Sequence, residues 1–189
     1  LLHDSRLQSA IFQYADFLDI PIYMNKGQTP INTMRPPWEA YDPEQAIYEF
    51  IKREYQMLTP LAIIPFHDEE IDIGHDTVTV PLKGFLFVPP GSVASVQEYG
   101  DVTVYIRRMF ICDQQRNLLP QWARFVRGVI DSPHLQPTAS REELQQDENF
   151  HRVQMALQNQ LFKGMKNIAK TQPKAWQLIV RGHRAVIMG

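Results

Sequence analysis

The stretch from Asp101 to Gln146 constrains the fold most, because its hydrophobic period changes within it and each change marks an element. From Asp101 to Cys112, Val102, Val104 and Ile106 alternate with Thr103, Tyr105 and Arg107, and Phe110 continues the first face, which reads as a strand. From Asn117 to Ile130 the spacing predicts a helix. Pro120 suits its first turn, and Trp122, Phe125, Val126 and Val129 form an i, i+3, i+4, i+7 stripe. A loop with Pro133 and Pro137 then leads into Ser140-Arg141-Glu142-Glu143. That tetrapeptide has the form of a capping box, in which the Ser140 hydroxyl accepts from the Glu143 N–H and the Glu143 carboxylate reaches back to the Ser140 N–H. Arg141 then sits in the first turn of a helix, where the helix dipole disfavours a cation. Such an arginine either meets an anion or pairs with Glu142 or another surface carboxylate.

The 189 residues fit one domain, long enough to bury a sizeable core. A formal net charge of −2 provides no basic field for nucleic acid or an anionic membrane, and neither is expected as a partner. The single cysteine, Cys112, excludes an internal disulfide framework and fits a reducing compartment such as the cytoplasm. At a strand end it reads as a buried, inert thiol. No apolar run approaches the ~20 residues that span a bilayer. The chain opens at Leu1 inside a helix-like pattern and ends on the apolar run Ala185–Gly189, so it reads as an excised domain.

In chain order, Asp4–Leu18 reads as a helix on the spacing of Leu7, Ala10, Ile11, Tyr14, Phe17 and Leu18, ended by Pro21. Ile20–Met24 reads as a strand and Asn25–Pro37 as a loop. Trp38 follows, either exposed to a partner or packed on the next helix. Asp42-Pro43-Glu44-Gln45 is a helix start, with Ile47, Phe50, Ile51 and Tyr55 on the buried face. Leu61–Phe66 is a short apolar run. His67 to Asp76 collects two histidines and five acids but matches no metal-binding spacing, so it reads as a solvated acidic loop and no metal site is assigned. Thr77–Val88 reads as a strand with Gly84 at a bulge; if it pairs with the Asp101 strand, the Pro89–Gly100 connection makes that pair antiparallel. Asp147 can cap a long helix with Phe150, Val153, Leu157, Leu161, Met165 and Ile168 on one face. Pro173 breaks it, and a further helix runs to the basic Arg181-Gly182-His183-Arg184. The pattern predicts a three-layer α/β/α sandwich with a mixed sheet, followed by a helical segment, with residues 1–146 as core and 147–189 as the helical part.

No phosphate-cradling glycine loop and no nucleophile elbow occurs, so the chain carries no complete active site of these kinds.

Three segments in order, Tyr105–Ile111 (YIRRMFI), Leu119–Ser132 (LPQWARFVRGVIDS) and Ser140–Gln146 (SREELQQ), resemble the middle domain of the heat-shock protein 90 family, the HtpG-type chaperones. Looser matches are Phe17–Ile22, Arg35–Trp38 and Phe85–Pro89. The resemblance implies that Arg141 reaches the γ-phosphate of ATP, bound with Mg in a separate N-terminal domain, and stabilises charge during hydrolysis as an arginine finger does. It implies that Gln145 positions this loop or the phosphate, and that unfolded or partly folded clients and co-chaperones bind the domain surface, Trp38 included. It implies a homodimeric parent joined through another domain and a monomeric fragment. Two departures stand out. Thr138 occupies the place of a usual Asn before the Ser-Arg pair, with Gln136-Pro137 for Pro-Leu, and the 92–99 loop is shorter and less apolar than usual. These leave a second implication open: a binding scaffold that has lost ATPase activation.

Overall fold

The computed structural model describes residues 4–56, 59–91, 101–139 and 143–187. At its centre is a five-stranded sheet of order β1-β4-β7-β5-β6, formed by β1 (Ala62–Phe66), β4 (Lys83–Val88), β5 (Val102–Ile106), β6 (Met109–Cys112) and β7 (Arg127–Asp131). β2 (Glu69–Ile73) and β3 (Asp76–Val80) form a separate hairpin. β4 runs antiparallel to both β1 and β7, and β5 runs parallel to β7, so the sheet is mixed.

β4 shows why three layers form. Phe85 and Phe87 point to one face, where they meet Phe17 and the inner side of α2 (Pro43–Glu54). Leu86 and Val88 point to the other, where they meet α3 (Glu148–Thr171). All four are fully buried, because a pleated strand sends successive side chains to opposite faces and both faces are covered. The α/β/α sandwich with a mixed sheet is therefore the fold, and α4 (Pro173–Ile187) follows α3.

The cap residues act as the sequence predicts. The Asp42 side chain accepts from the Gln45 N–H at 3.2 Å, and Asp147 accepts from the Phe150 N–H at 2.8 Å. α1 (Asp4–Ala15) forms but buries none of its residues; Phe17, just beyond it, is the anchor.

Several expectations are corrected. Residues 117–130 are not a helix but two short 3-10 turns, Arg116–Leu118 and Gln121–Ala123, followed by β7. Phe125, Val126, Val129 and Ile130 are all buried, so the apparent stripe came from a segment enclosed on both faces. Residues 101–112 are two strands, not one. β7 lies between β4 and β5, which therefore do not pair. Ile20–Met24 joins no sheet. Thr77–Val88 splits into β3 and β4, and Gly84 stays in register with Phe66 and Ile130. Gly84 has φ +144°, and a Cβ there would lie 2.1 Å from the Val129 carbonyl oxygen. The acidic segment His67–Asp76 is not a solvated loop. Glu69 is buried and accepts from Gln160 and Lys163, tying the β2–β3 hairpin to α3. No helix among the described residues is long and apolar enough to cross a membrane.

α3 approaches β1 most closely at Gly164, where an added Cβ would sit 2.4 Å from Ile64 Cγ2. Gly164→Ala should gain about 1 kcal/mol of helix propensity and lose about 1–3 kcal/mol to overpacking. Urea unfolding should show net destabilisation. On α4, His183 is 2% exposed, stacks on Phe125 at 4.3 Å, and lacks a hydrogen-bond partner on either ring nitrogen among the described residues. Burial lowers its pKa. The unfolded chain therefore binds the proton more readily, and stability should fall as pH drops below the unfolded value of about 6.5. Unfolding free energies measured across that range should show a weaker acid-side fall in His183→Phe.

Candidate functional site

The C-terminal end of β7 organises the region around the predicted catalytic loop. The β5–β6 hairpin turns through Arg107 (φ 51°) and Arg108 (φ 66°), a two-residue loop with both residues left-handed. Such turns favour Asn-Gly, so two arginines need outside support. Asp131, the last residue of β7, supplies it: its Oδ2 accepts from the Arg108 N–H at 3.1 Å. Burial raises the Asp131 pKa, against the backbone hydrogen bonds from Arg108 and Arg107 that lower it. Its Oδ1 is buried without a partner among the described residues.

The Arg108 guanidinium pairs with both Asp19 and Glu39, and Glu39 also takes Lys83 at 2.9 Å. These groups line an open cleft of about 360 Å³, together with Asp68, Arg107 and Pro133. The segment that carries Trp38 is thus tied through its neighbour Glu39 to the β5–β6 turn and to the end of β7.

Ser132 fixes the exit from the sheet. It is fully buried; its N–H donates to the Tyr105 carbonyl at 3.2 Å and its hydroxyl to the Pro81 carbonyl at 2.7 Å. The chain then dips into the core at Leu135 and returns to it at Leu144. Between them the loop closes on itself like a short hairpin. Thr138 N–H donates to Glu143 O at 2.8 Å, Gln145 N–H to Gln136 O at 2.8 Å, and Pro137 bridges Leu144. The Gln145 side chain donates to the Pro137 carbonyl at 2.9 Å.

This arrangement corrects the capping-box expectation. Glu143 and Leu144 lie in an extended closing arm, and the helix starts only at Glu148 behind the Asp147 cap. Ser140, Arg141 and Glu142 lie outside the described residues. Of the predicted site residues, Gln145 stands on the loop's closing arm, exposed, with its amide committed to the loop itself. Trp38 stands apart from the loop. It is half-buried, with its ring against Phe17 at 5.4 Å, Tyr105 at 6.2 Å and Phe85 at 6.4 Å, so it packs on the sheet rather than standing free. Cys112 is buried, and desolvation pushes its thiol up to about 11, which suits an inert thiol. Among the described residues no group of three His, Cys, Asp or Glu side chains is placed to hold a metal ion. Sequence reasoning passed over Asp131, Ser132 and Arg108. The one available signal was a polar Asp-Ser pair ending an apolar run.

Comparison with known proteins places this geometry in a family. The family described as Hsp90 protein matches residues 31–180. The mitochondrial heat shock protein 75 kDa of Rattus norvegicus is 32% identical over 167 residues, covering 85% of this chain and 22% of the relative. The chaperone protein HtpG of Bdellovibrio bacteriovorus is 30% identical over 183 residues, covering 90% of this chain and 28% of the relative. Among solved structures, the middle domain of a Plasmodium falciparum heat shock protein superposes with a TM-score of 0.55 at 17% identity, covering 80% of this chain and 57% of that one. The chain spans about a quarter of the length of the curated relatives it matches. It belongs to the Hsp90 family and has the fold of that middle domain.

Proposed function

We propose that the chain is the middle domain of an ATP-dependent chaperone and that its 136–145 loop carries Arg141 to the γ-phosphate of ATP held, with Mg, in a separate N-terminal domain. The observation that carries this reading is the loop itself: a self-closed element, anchored by Ser132, Leu135 and Leu144, inside the segment matched to the Hsp90 family. A guanidinium suits the role because it is permanently charged and offers forked donors to phosphate oxygens. Gln145 acts as a positioning residue, since its amide holds the loop's two arms together. Thr138, standing where the family usually has Asn, still closes the loop, with its N–H and hydroxyl both directed at the Glu143 carbonyl. This favours retained activation over a scaffold that has lost it.

Client binding belongs to the same reading. The cleft of about 470 Å³ beside the Trp38 segment, where Pro37, Ala40, Ala46 and Phe50 meet Arg35, Glu49 and Arg53, offers mixed apolar and charged surface to an unfolded chain. The compartment is one that keeps Cys112 reduced, and cytoplasm is the simplest assignment.

The test is steady-state ATP hydrolysis by the full-length parent. Arg141→Ala should lower turnover by about 10²–10³-fold, or about 3–4 kcal/mol of transition-state stabilisation, with ATP affinity little changed. Equal turnover in the two proteins would leave the scaffold reading. In the 189-residue chain, Ser132→Ala should cost about 1–3 kcal/mol, because the Pro81 carbonyl loses its donor in a buried place. Gln145→Ala should change global stability by less than ~0.5 kcal/mol while speeding hydrogen exchange at the Thr138 and Gln145 amides. Urea unfolding and amide exchange separate the two effects.

A further inference from the structure

The two terminal helices differ in charge from the rest of the chain. Residues 149–189 hold seven Lys and Arg and no Asp or Glu, while residues 1–148 hold the other twelve bases and all twenty-one acids. The formal −2 therefore divides into +7 on residues 149–189 and −9 on residues 1–148. We propose that the solvent face of α3, continued by the start of α4, is a docking surface for an acidic polypeptide segment with apolar side chains among its acids.

The buried stripe of α3 faces the core, so its outer face is free to read. Met155, Phe162, Lys166 and Lys170 follow one another there at spacings of seven, four and four, and all are exposed. Phe162 is 64% exposed and Met155 45% exposed, in the company of lysines. Solubility alone would not place an aromatic ring in that row. Helices normally interleave Glu with Lys at i, i+4, and like charges at that spacing oppose helix formation. Beyond Glu148, the Lys166–Lys170 pair on α3 has no such compensation. Among the described residues neither lysine has an ion-pair partner, whereas Lys163 holds the buried Glu69. The helix dipole accounts for Lys170 in the last turn of α3. It opposes Lys174, in the first turn of α4, where no acid is present. α4 repeats the pattern at helical spacing with Lys174, Leu178 and Arg181, and Leu178 is 53% exposed.

Charge complementarity selects an acidic partner, and the interleaved Met155 and Leu178, aliphatic side chains with no face for base stacking, select polypeptide over nucleic acid. Size points the same way. α3 is about 36 Å long at 1.5 Å per residue, enough for one helical or extended segment.

The probe is a fluorescein-labelled peptide of about 20 residues, glutamate throughout except for leucines at helical spacing. Anisotropy titration with the 189-residue chain should give saturable binding on the order of micromolar, weakening about tenfold or more between about 50 mM and about 300 mM salt. Lys166→Glu/Lys170→Glu should weaken it at least about tenfold, and Phe162→Ser severalfold. If the reversal variant unfolds, Lys166→Ala/Lys170→Ala takes its place. Polyglutamate without leucine should bind more weakly, and a thymidine oligonucleotide of about 20 nucleotides should not compete. Equal binding by the charge variants, equal affinity for the oligonucleotide, or no saturation below about 1 mM would overturn the proposal. So would loss of binding in the full-length parent, since the parent's own chain would then cover the face.

Discussion

The double-sided burial of β4 and β7 is the constraint on which the rest depends. Once Phe85 and Phe87 occupy one face and Leu86 and Val88 the other, each face requires a cover. α2 and the Phe17 region meet the first need, and α3 meets the second. The same enclosure sets the tolerances around these strands. Gly128 in β7 lies so close to β4 that a Cβ would come within 2.4 Å of the Phe85 carbonyl oxygen. A centre packed this closely transmits position well. The chain leaves β7 at Asp131 and Ser132 with little freedom, which gives the following loop a fixed base.

That enclosure also explains what was hidden in the sequence. Helix starts were legible because an N-cap is a local event: Asp42 and Asp147 needed only the three residues that follow them. The buried faces of α2 and α3 were legible from helical spacing. The central strands were not. A strand covered on both sides loses its alternation, and Phe125, Val126 and Val129 then mimic a helical stripe. The Arg107–Arg108 turn was hidden because its support, Asp131, comes from a strand far along the chain and no Gly or Asn marks it. The Ser140–Glu143 box matched a local rule, but the pairing of Gln136 with Gln145 and of Thr138 with Glu143 overrides it. Two backbone hydrogen bonds and the buried Leu144 outweigh one side-chain cap.

The candidate site was therefore legible in part. Family motifs singled out Arg141 and Gln145, and they contain Arg108, Asp131 and Ser132 without showing what these groups hold. Ser132 is buried and bonds to Pro81, fifty-one residues back in the chain. Arg108 joins Asp19, Glu39 and Asp131 from three separate segments. Only the folded topology brings these together.

The loop and the basic helices join through one piece of geometry. Leu144 returns the loop to the core that α3 covers, and Asp147 caps α3 three residues later. The loop's closing arm and the first turn of α3 are thus one continuous, well-anchored segment. Rotation of α3 would pull on Leu144 and Gln145, and through Gln145 on the Pro137 carbonyl. The lysine row begins farther along the same rigid helix, so a partner seated on Lys166 and Lys170 acts on an element whose other end holds the loop. The geometry allows contact between the sites without requiring it. A helix packed at Gly164 against Ile64 can move only if β1 gives way, and the close fit there argues that α3 is a fixed strut rather than a lever.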